Sequence, residues 1–252
     1  MSGKVPLRTT KKLFSVVEEL RKQNGARLSE LSTTLDMPKS TIHRHLKTLE
    51  ELEYIAKSGD VYHIGSQFLY TGIAVQERKD AYTDIESRIK ELASETNERA
   101  QFMIEEHGYL IYIHCETGEH AVRTNTKLGK QMPIHATSGG KAILSQMPES
   151  KVSDIIDHRG LPKITENTIT EKEEFFDELQ DIEKSGVSYN DQEYIDGLRS
   201  VSTPILRSNG QPVGAIGISG PLNRFKGDFY REELPDKLLG VGNEIELNIK
   251  YS

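Results

Sequence analysis

Residues 28–65 read LSELSTTLDMPKSTIHRHLKTLEELEYIAKSGDVYHIG. The stretch predicts a short helix, a tight turn, a second helix rich in basic and hydroxyl side chains, and then a β-hairpin. That order is a winged helix-turn-helix, and it makes double-stranded DNA the expected partner. Ser29 is placed to cap the first helix, which carries Leu31 and Leu35. Asp36-Met37-Pro38 ends it, because proline lacks an amide donor and disfavours a helical residue before it. Lys39-Ser40-Thr41 opens the next helix, with Ile42, Leu46, Leu49 and Leu52 on its apolar face. The opposite face reads Lys39, Thr41, Arg44, His45, Lys47 and Thr48.

Ser40, Thr41 and Arg44 are the candidates for the major groove, where arginine reaches a guanine edge with two hydrogen bonds. Lys39, Lys47 and Lys57 are the candidates for phosphates. A helical hairpin with an ordinary solvated face is the plainer alternative. What argues against it is the following hairpin, where Ile55–Lys57 and Val61–His63 flank Ser58-Gly59-Asp60. Upstream, Leu13, Val16, Val17 and Leu20 mark one face of a further helix, and Gly25 lies just past its end.

Charge is uneven along the chain. Residues 1–80 hold 13 Lys and Arg against 10 Asp and Glu, while the remainder holds 19 against 29, for a net charge of −7. A mildly basic head on an acidic body suits a few well-placed phosphate contacts rather than a polycationic surface. The 252 residues suit two domains. The expected division is a DNA-binding head over 1–66, a linker helix over 67–80 and a second domain over 81–252. No apolar run is long enough to span a bilayer, the amino terminus lacks the apolar core of a signal peptide, and Cys115 has no second cysteine to pair with. These features lead to an expectation of a cytoplasmic protein with no membrane partner.

Phe68, Leu69, Ile73, Ala74 and Val75 predict a linker helix running to about Asp80, with Gln76–Asp80 polar and exposed. Another amphipathic helix carries Ile85, Ile89, Leu92 and Ala93, and then the period switches to strands. Gln101–Glu105 and Tyr109–His114 flank His107-Gly108, a hairpin signal. Ser200–Leu206 and Val213–Ser219 flank Asn209-Gly210, the stronger signal of a tight type I′ turn. Helices are expected over 140–146, 149–157, 172–185 and 232–250. Hairpins with intervening helices make an α+β domain with a mainly antiparallel sheet.

Thr137-Ser138-Gly139-Gly140-Lys141 precedes an apolar run. A helix starting there would turn its first amides toward an anion. It is not a phosphate-binding P-loop, because His135 and Ala142 stand where that motif needs Gly and a hydroxyl. Lys141 suits a ligand carboxylate or a structural ion pair equally. Asp191 and Glu193 could touch a ligand, hold a metal or cap a turn. Ser200 and Ser219 lie on strands that the Asn209-Gly210 turn would make neighbours, and they matter if they face the same pocket as Ser138.

The chain resembles the isocitrate-lyase-regulator (IclR) family of transcription factors over nearly its whole length. The anchors are PKSTIHRHLKTLEELEYI with YHIG, MPIHATSGGKAIL, LPKITENTIT, DQEYIDGLRSVSTPI and GQPVGAIGISGP. The resemblance implies a winged helix-turn-helix, a linker helix that helps dimerise, and a GAF-like effector-binding domain. It implies no catalysis and no cofactor. It also implies operator binding modulated by a small carboxylic or aromatic acid, with dimers or pairs of dimers on a pseudo-palindromic site. Carried over residue by residue, the effector pocket would include Ser138, Gly139, Asp191, Ser200 and Ser219. The family often has Cys at position 200, Ser at 217 and Glu at 192, where this chain has Ser, Gly and Gln. A missing hydroxyl at Gly217 is expected to leave room for a bulkier ligand.

Two rival readings draw on other residues. An enzyme could use His114 and Cys115, but neighbours on a strand point to opposite faces, and no nucleophile-elbow pattern is present. A metal-responsive regulator could use its histidines, but His43 and His45 are two apart on a helix and do not share a face.

Overall fold

The computed structural model describes residues 7–78, 80–122 and 127–251. Its contacts divide the chain into two compact units, Met1–Val75 and Gln76–Ser252.

The first unit opens with α1 (Arg8–Gln23), which buries Val16, Val17 and Leu20. Asn24 stops it in the left-handed conformation, and the Asn24 amide bonds the Leu20 carbonyl. A two-residue strand, β1 (Ala26–Arg27), leads into α2 (Leu28–Thr34). Ser29 does not cap α2: the cap position is Arg27, whose amide donates to the Glu30 carboxylate at 2.6 Å. The glutamate three residues in thus supplies the half of a capping box that reaches back to the cap residue's own amide. The turn through Asp36, with φ of 47°, delivers Pro38 to the cap of α3 (Lys39–Glu51).

Two positions on α3 differ from the pattern reading. His45 is buried with Ile42, Leu46 and Leu49 rather than lying on the polar face, and Leu52 is 59% exposed beyond the last turn. At about 100° per residue, His45 stands next to the apolar stripe, and burial extends to it. β2 (Ile55–Ser58) and β3 (Val61–Ile64) form the hairpin, and β3 also pairs with β1 to complete a three-stranded sheet. Two residues of β1 are too few for a sequence period to reveal.

The next helix, α4 (Gln67–Gln76), buries none of its side chains within the chain, and Leu69 and Tyr70 are exposed. It stops at Gln76 instead of continuing to Asp80, and α5 (Asp80–Thr96) begins a separate helix. Lys79 of the expected linker lies outside the described residues.

The second unit is a six-stranded antiparallel sheet with helices on both faces. Its strands are β4 (Arg99–Glu106), β5 (Tyr109–Thr117), β6 (Gln131–Pro133), β7 (Ser188–Asp191), β8 (Leu198–Leu206) and β9 (Pro212–Pro221), in the order β6-β5-β4-β9-β8-β7. The fold is α+β, as the hairpin signals predict. Their strengths were reversed, however. His107 and Gly108 both have positive φ, the geometry of a tight I′ turn, and join β4 to β5. At Asn209-Gly210 only Gly210 has positive φ, and a five-residue loop from Arg207 to Gln211 replaces the two-residue turn.

Side-chain alternation divides the core in two. Phe102, Ile104, Val201, Ile205, Ile216 and Ile218 pack under α5 and the last helix, α9 (Leu234–Tyr251). Met103, Leu110, Tyr112 and Ala215 face the other way, against α6 (Ser138–Leu144), α7 (Glu149–Arg159) and α8 (Lys172–Ser185). This second face carries the polar residues singled out in the sequence.

Candidate functional site

α6 opens on Thr137, whose side chain accepts from the Gly140 amide. That takes one of the first-turn donors that a ligand anion would need. Gly140 is required here, because a Cβ would collide with the Ile134 carbonyl. At Gly139 a Cβ would lie 2.6 Å from Met103 Sδ, so the glycine lets the helix start settle on β4. Ser138 then points at the sheet, with its Oγ 2.7 Å from Ser200 Oγ and 2.8 Å from Ser202 Oγ.

Three hydroxyls therefore converge at one spot. Ser202 was not singled out from the sequence, although the signal was present: two residues after Ser200 on one strand is the same face. Ser219, the cross-strand partner of Ser200, accepts from Gln101 Nε2 at 2.6 Å. Gln101 comes from the adjacent strand and was also missed. Gly217 pairs with Ser202, and a Cβ on Gly217 would collide with Ser202 Oγ. The room expected at Gly217 is thus already filled by a hydroxyl from the neighbouring strand.

These groups border a cavity of about 60 Å³ lined by Gln101, Ser138, Gly139, Ser200 and Ser219, with Met103, Tyr112 and Met132 as apolar walls. At ~10–15 Å³ per water, it has room for a few waters or a small organic molecule. A larger hollow of about 660 Å³ lies between α7 and α8. Its lining lacks a comparable convergence of buried polar groups.

Asp191 does not line the cavity. Arg199 does, and it holds the Asp191 carboxylate with two hydrogen bonds, Nε to Oδ1 at 2.8 Å and Nη2 to Oδ2 at 2.7 Å. The hydrogen bond from Arg199 keeps Asp191 below the usual carboxylate range. Lys141 turns away from the cavity. Its buried ammonium donates to Glu193 at 2.7 Å and Glu178 at 2.9 Å, which makes it a structural ion pair. Burial outweighs the lysine and pushes the Glu193 carboxyl up.

The loop bearing these carboxylates is fastened on several sides. Asn190 Nδ2 donates to the Ala136 carbonyl, Thr165 Oγ1 to the Gln192 carbonyl and Thr168 Oγ1 to the Glu193 carbonyl. The LPKITENTIT segment thus holds the cavity's edge in place.

The enzyme candidates do not act together, although Cys115 pairs across the sheet with Gln101. His114 stacks on Phe102, and burial raises the Cys115 thiol above its usual range, which disfavours a nucleophilic thiolate. His135 contacts the Pro162 carbonyl at 3.1 Å and is held below its usual range by burial. Among the described residues, no cluster of three His, Cys, Asp or Glu side chains could hold a metal ion.

In the first unit, Lys39, Ser40, Arg44 and Lys47 are exposed on α3, and Thr41 is half-buried. Lys47 lies 3.6 Å from Glu51, and Lys57 sits over the Tyr62 ring at 5.1 Å on the hairpin. No helix among the described residues is long and apolar enough to cross a membrane.

Comparison with known proteins matches two family models. The IclR helix-turn-helix domain covers residues 9–59, and the bacterial transcriptional regulator IclR C-terminal domain covers residues 74–247. The transcriptional repressor IclR of Escherichia coli is 27% identical over 227 residues, covering 87% of this chain and 82% of the relative. The crystal structure of the IclR protein of Thermotoga maritima superposes with a TM-score of 0.83 at 26% identity, covering 97% of this chain and all of that one. An IclR homologue from Microbacterium hydrocarbonoxydans, solved in complex with 4-hydroxybenzoate, shares the fold with a TM-score of 0.80 at 17% identity, covering 97% of this chain and 100% of its own.

Proposed function

Because this chain belongs to the IclR family of DNA-binding transcriptional regulators, we propose that its operator binding is set by a small organic acid held in the cavity beside α6. The observation that carries this reading is the meeting of Ser138, Ser200 and Ser202 hydroxyls beside walls of Met103, Met132 and Tyr112. Hydroxyls that satisfy one another in the absence of ligand can turn to a carboxylate or phenol oxygen, and thioether and ring walls suit a compact apolar or aromatic body. The complex of the Microbacterium homologue with 4-hydroxybenzoate supports that chemical class. The pocket group is Ser138, Gly139, Ser200 and Ser219, joined by Ser202 and Gln101. Asp191 serves by fixing Arg199 at the cavity rim.

On the DNA side, Ser40, Thr41 and Arg44 read bases while Lys39, Lys47 and Lys57 meet phosphates. A homodimer, or a pair of dimers, matches a pseudo-palindromic operator because protein two-fold symmetry is mirrored in the half-sites. The head spans 1–66 and the effector domain 81–252, joined through the 67–80 segment. A ligand shifts DNA affinity only as far as it discriminates between two arrangements of the dimer's heads.

Selection of duplexes by the full-length protein from a random pool, followed by a calorimetric screen of small organic acids, tests both halves. The reading expects a palindromic sequence to emerge and at least one acid to bind and change operator affinity. Failure to enrich any sequence would remove the DNA half. An acid that binds without changing operator affinity would remove the coupling.

A further inference from the structure

The exposed edges of α1 and α3 enclose a cleft of about 350 Å³, lined by Thr9, Lys12, Thr41, Arg44, His45 and Thr48. We propose that this cleft holds one phosphodiester of the DNA backbone. It is a contact separate from the lysines of the α3 face and hairpin, and it rests on the DNA-binding reading above.

Three observations meet here. The first is charge. Arg21, Arg27 and Lys47 in the same unit each have a carboxylate within 4.0 Å, whereas Lys12 and Arg44, like Arg8, Lys11, Lys39 and Lys57, have none among the described residues. The second is the start of α1. Leu7 offers no side-chain cap, and no acidic residue stands in the first turn of this 16-residue helix. Its leading amides and its dipole therefore favour an anion at Thr9. The third is His45, which is 7% exposed and whose Nε2 finds no hydrogen-bond partner among the described residues. An unmet polar atom in a residue that lines the cleft costs stability until a partner arrives.

The donors suit a phosphate. Thr9 has a hydroxyl to give and Thr41 one it gives either here or to a base edge, while Thr48 donates to the Arg44 carbonyl at 3.0 Å and so offers the cleft no donor. Burial, with Arg44 and Lys12 nearby, holds the His45 imidazole below its usual range. A neutral ring with a proton on Nε2 donates to a phosphate oxygen that reaches it. Arg44 stands between this cleft and the exposed Ser40 and Lys47, about 40° and 60° further round the helix. Its five donors allow it to bridge a phosphate and a base edge. A DNA strand meeting the α3 face would therefore run its backbone past the cleft, which favours a phosphodiester over a free anion.

The test uses the full-length protein, a duplex recovered by selection and a random duplex of equal length, with binding followed across a salt series. Lys12→Gln should weaken both duplexes alike, leave their affinity ratio unchanged and lower the slope of log affinity against log salt by about 1. Thr9→Val should weaken both with the slope intact, because it removes a donor and no charge. His45→Phe, which retains a ring, should do the same. If Lys57→Ala lowers the salt slope while Lys12→Gln and Thr9→Val leave binding untouched, the cleft lies off the DNA, and the DNA-binding reading stands without it. If the unmodified protein binds neither duplex, both fail. Inorganic phosphate that shifts the His45 ring signals, with DNA binding indifferent to Lys12→Gln, would mark a free-anion site and overturn the proposal.

Discussion

The Ser202 hydroxyl occupies the space that any side chain at Gly217 would need, and the two residues face each other across β8 and β9. The sheet thus carries its hydroxyl on one strand and its gap on the other. Gly217→Ala should destabilise the protein by about 1–3 kcal/mol, the usual cost of overpacking a tight interior. In a Ser202→Ala background the cost should shrink, leaving the milder contacts with Val201 and Met103. Urea unfolding of the four proteins in this double-mutant cycle measures the coupling. Equal costs in both backgrounds would show that the hydroxyl is not what fills the space.

Ser138 touches both serines of β8, so its loss should be felt by a ligand more than by the fold. Ser138→Ala removes the hydrogen-bond partner that Ser200 and Ser202 share, and the stability loss should be about 1 kcal/mol. Affinity for an organic acid found by calorimetry should fall by about tenfold or more, as one lost charge-assisted hydrogen bond implies. Undiminished affinity would move the ligand out of this cavity.

Asp191 and Glu193 lie two residues apart and titrate in opposite directions. Asp191 is held below its ordinary 3.8 by Arg199, so its contribution is complete above that value and is lost as pH falls through the folded-state pKa. Glu193 is raised above its ordinary 4.5 by burial, so its contribution is complete below 4.5 and is lost as pH rises through the folded-state pKa. The stability difference between wild type and Asp191→Asn should therefore shrink on acidification below 3.8. Wild type should lose stability relative to Glu193→Gln as pH rises above 4.5. Urea midpoints across pH 2–8 (about the range where carboxylates and histidines titrate) check both signs.

Lys141 is almost wholly buried between Glu193 and Glu178. Lys141→Met should cost about 3–5 kcal/mol, because Glu193 is then left buried without its partner. Adding Glu193→Gln should recover part of that loss by removing the stranded charge. A single variant as stable as wild type would mean that water reaches Glu193 freely.

Long periods were the legible part of this fold. The apolar stripes of α1, α3, α5 and α8 and the alternation of β4, β8 and β9 each repeat often enough to fix an element and its buried face. Short or non-local features were not. The two residues of β1 and three of β6 carry no period. The turn at Asn209-Gly210 is decided by the register Leu206↔Pro212 across a bulge, which local residue types do not encode. In the site, Ser138, Ser200 and Ser219 were visible as motif residues. Gln101 came from a different strand and needed the β4–β9 pairing to bring it to Ser219. His45 shows the same limit: one position beyond the apolar stripe, tertiary packing decided its burial.

Arg44 and Lys57 should separate reading from holding. Arg44 is exposed in the middle of the α3 face, whereas Lys57 lies on the hairpin against Tyr62. If Arg44 meets a base edge, Arg44→Ala costs about 1–3 kcal/mol on a selected duplex and relaxes preference at one position of each half-site. Because the same side chain borders the α1–α3 cleft, some loss should also appear on a random duplex. Lys57→Ala should weaken all sequences by one factor and lower the salt slope by about 1, as expected for a phosphate contact. Binding to a library of single-base variants at two salt concentrations measures all of these quantities. A uniform loss in Arg44→Ala, with preference unchanged at every position, would place Arg44 wholly on the backbone and leave Ser40 and Thr41 as the base-reading candidates.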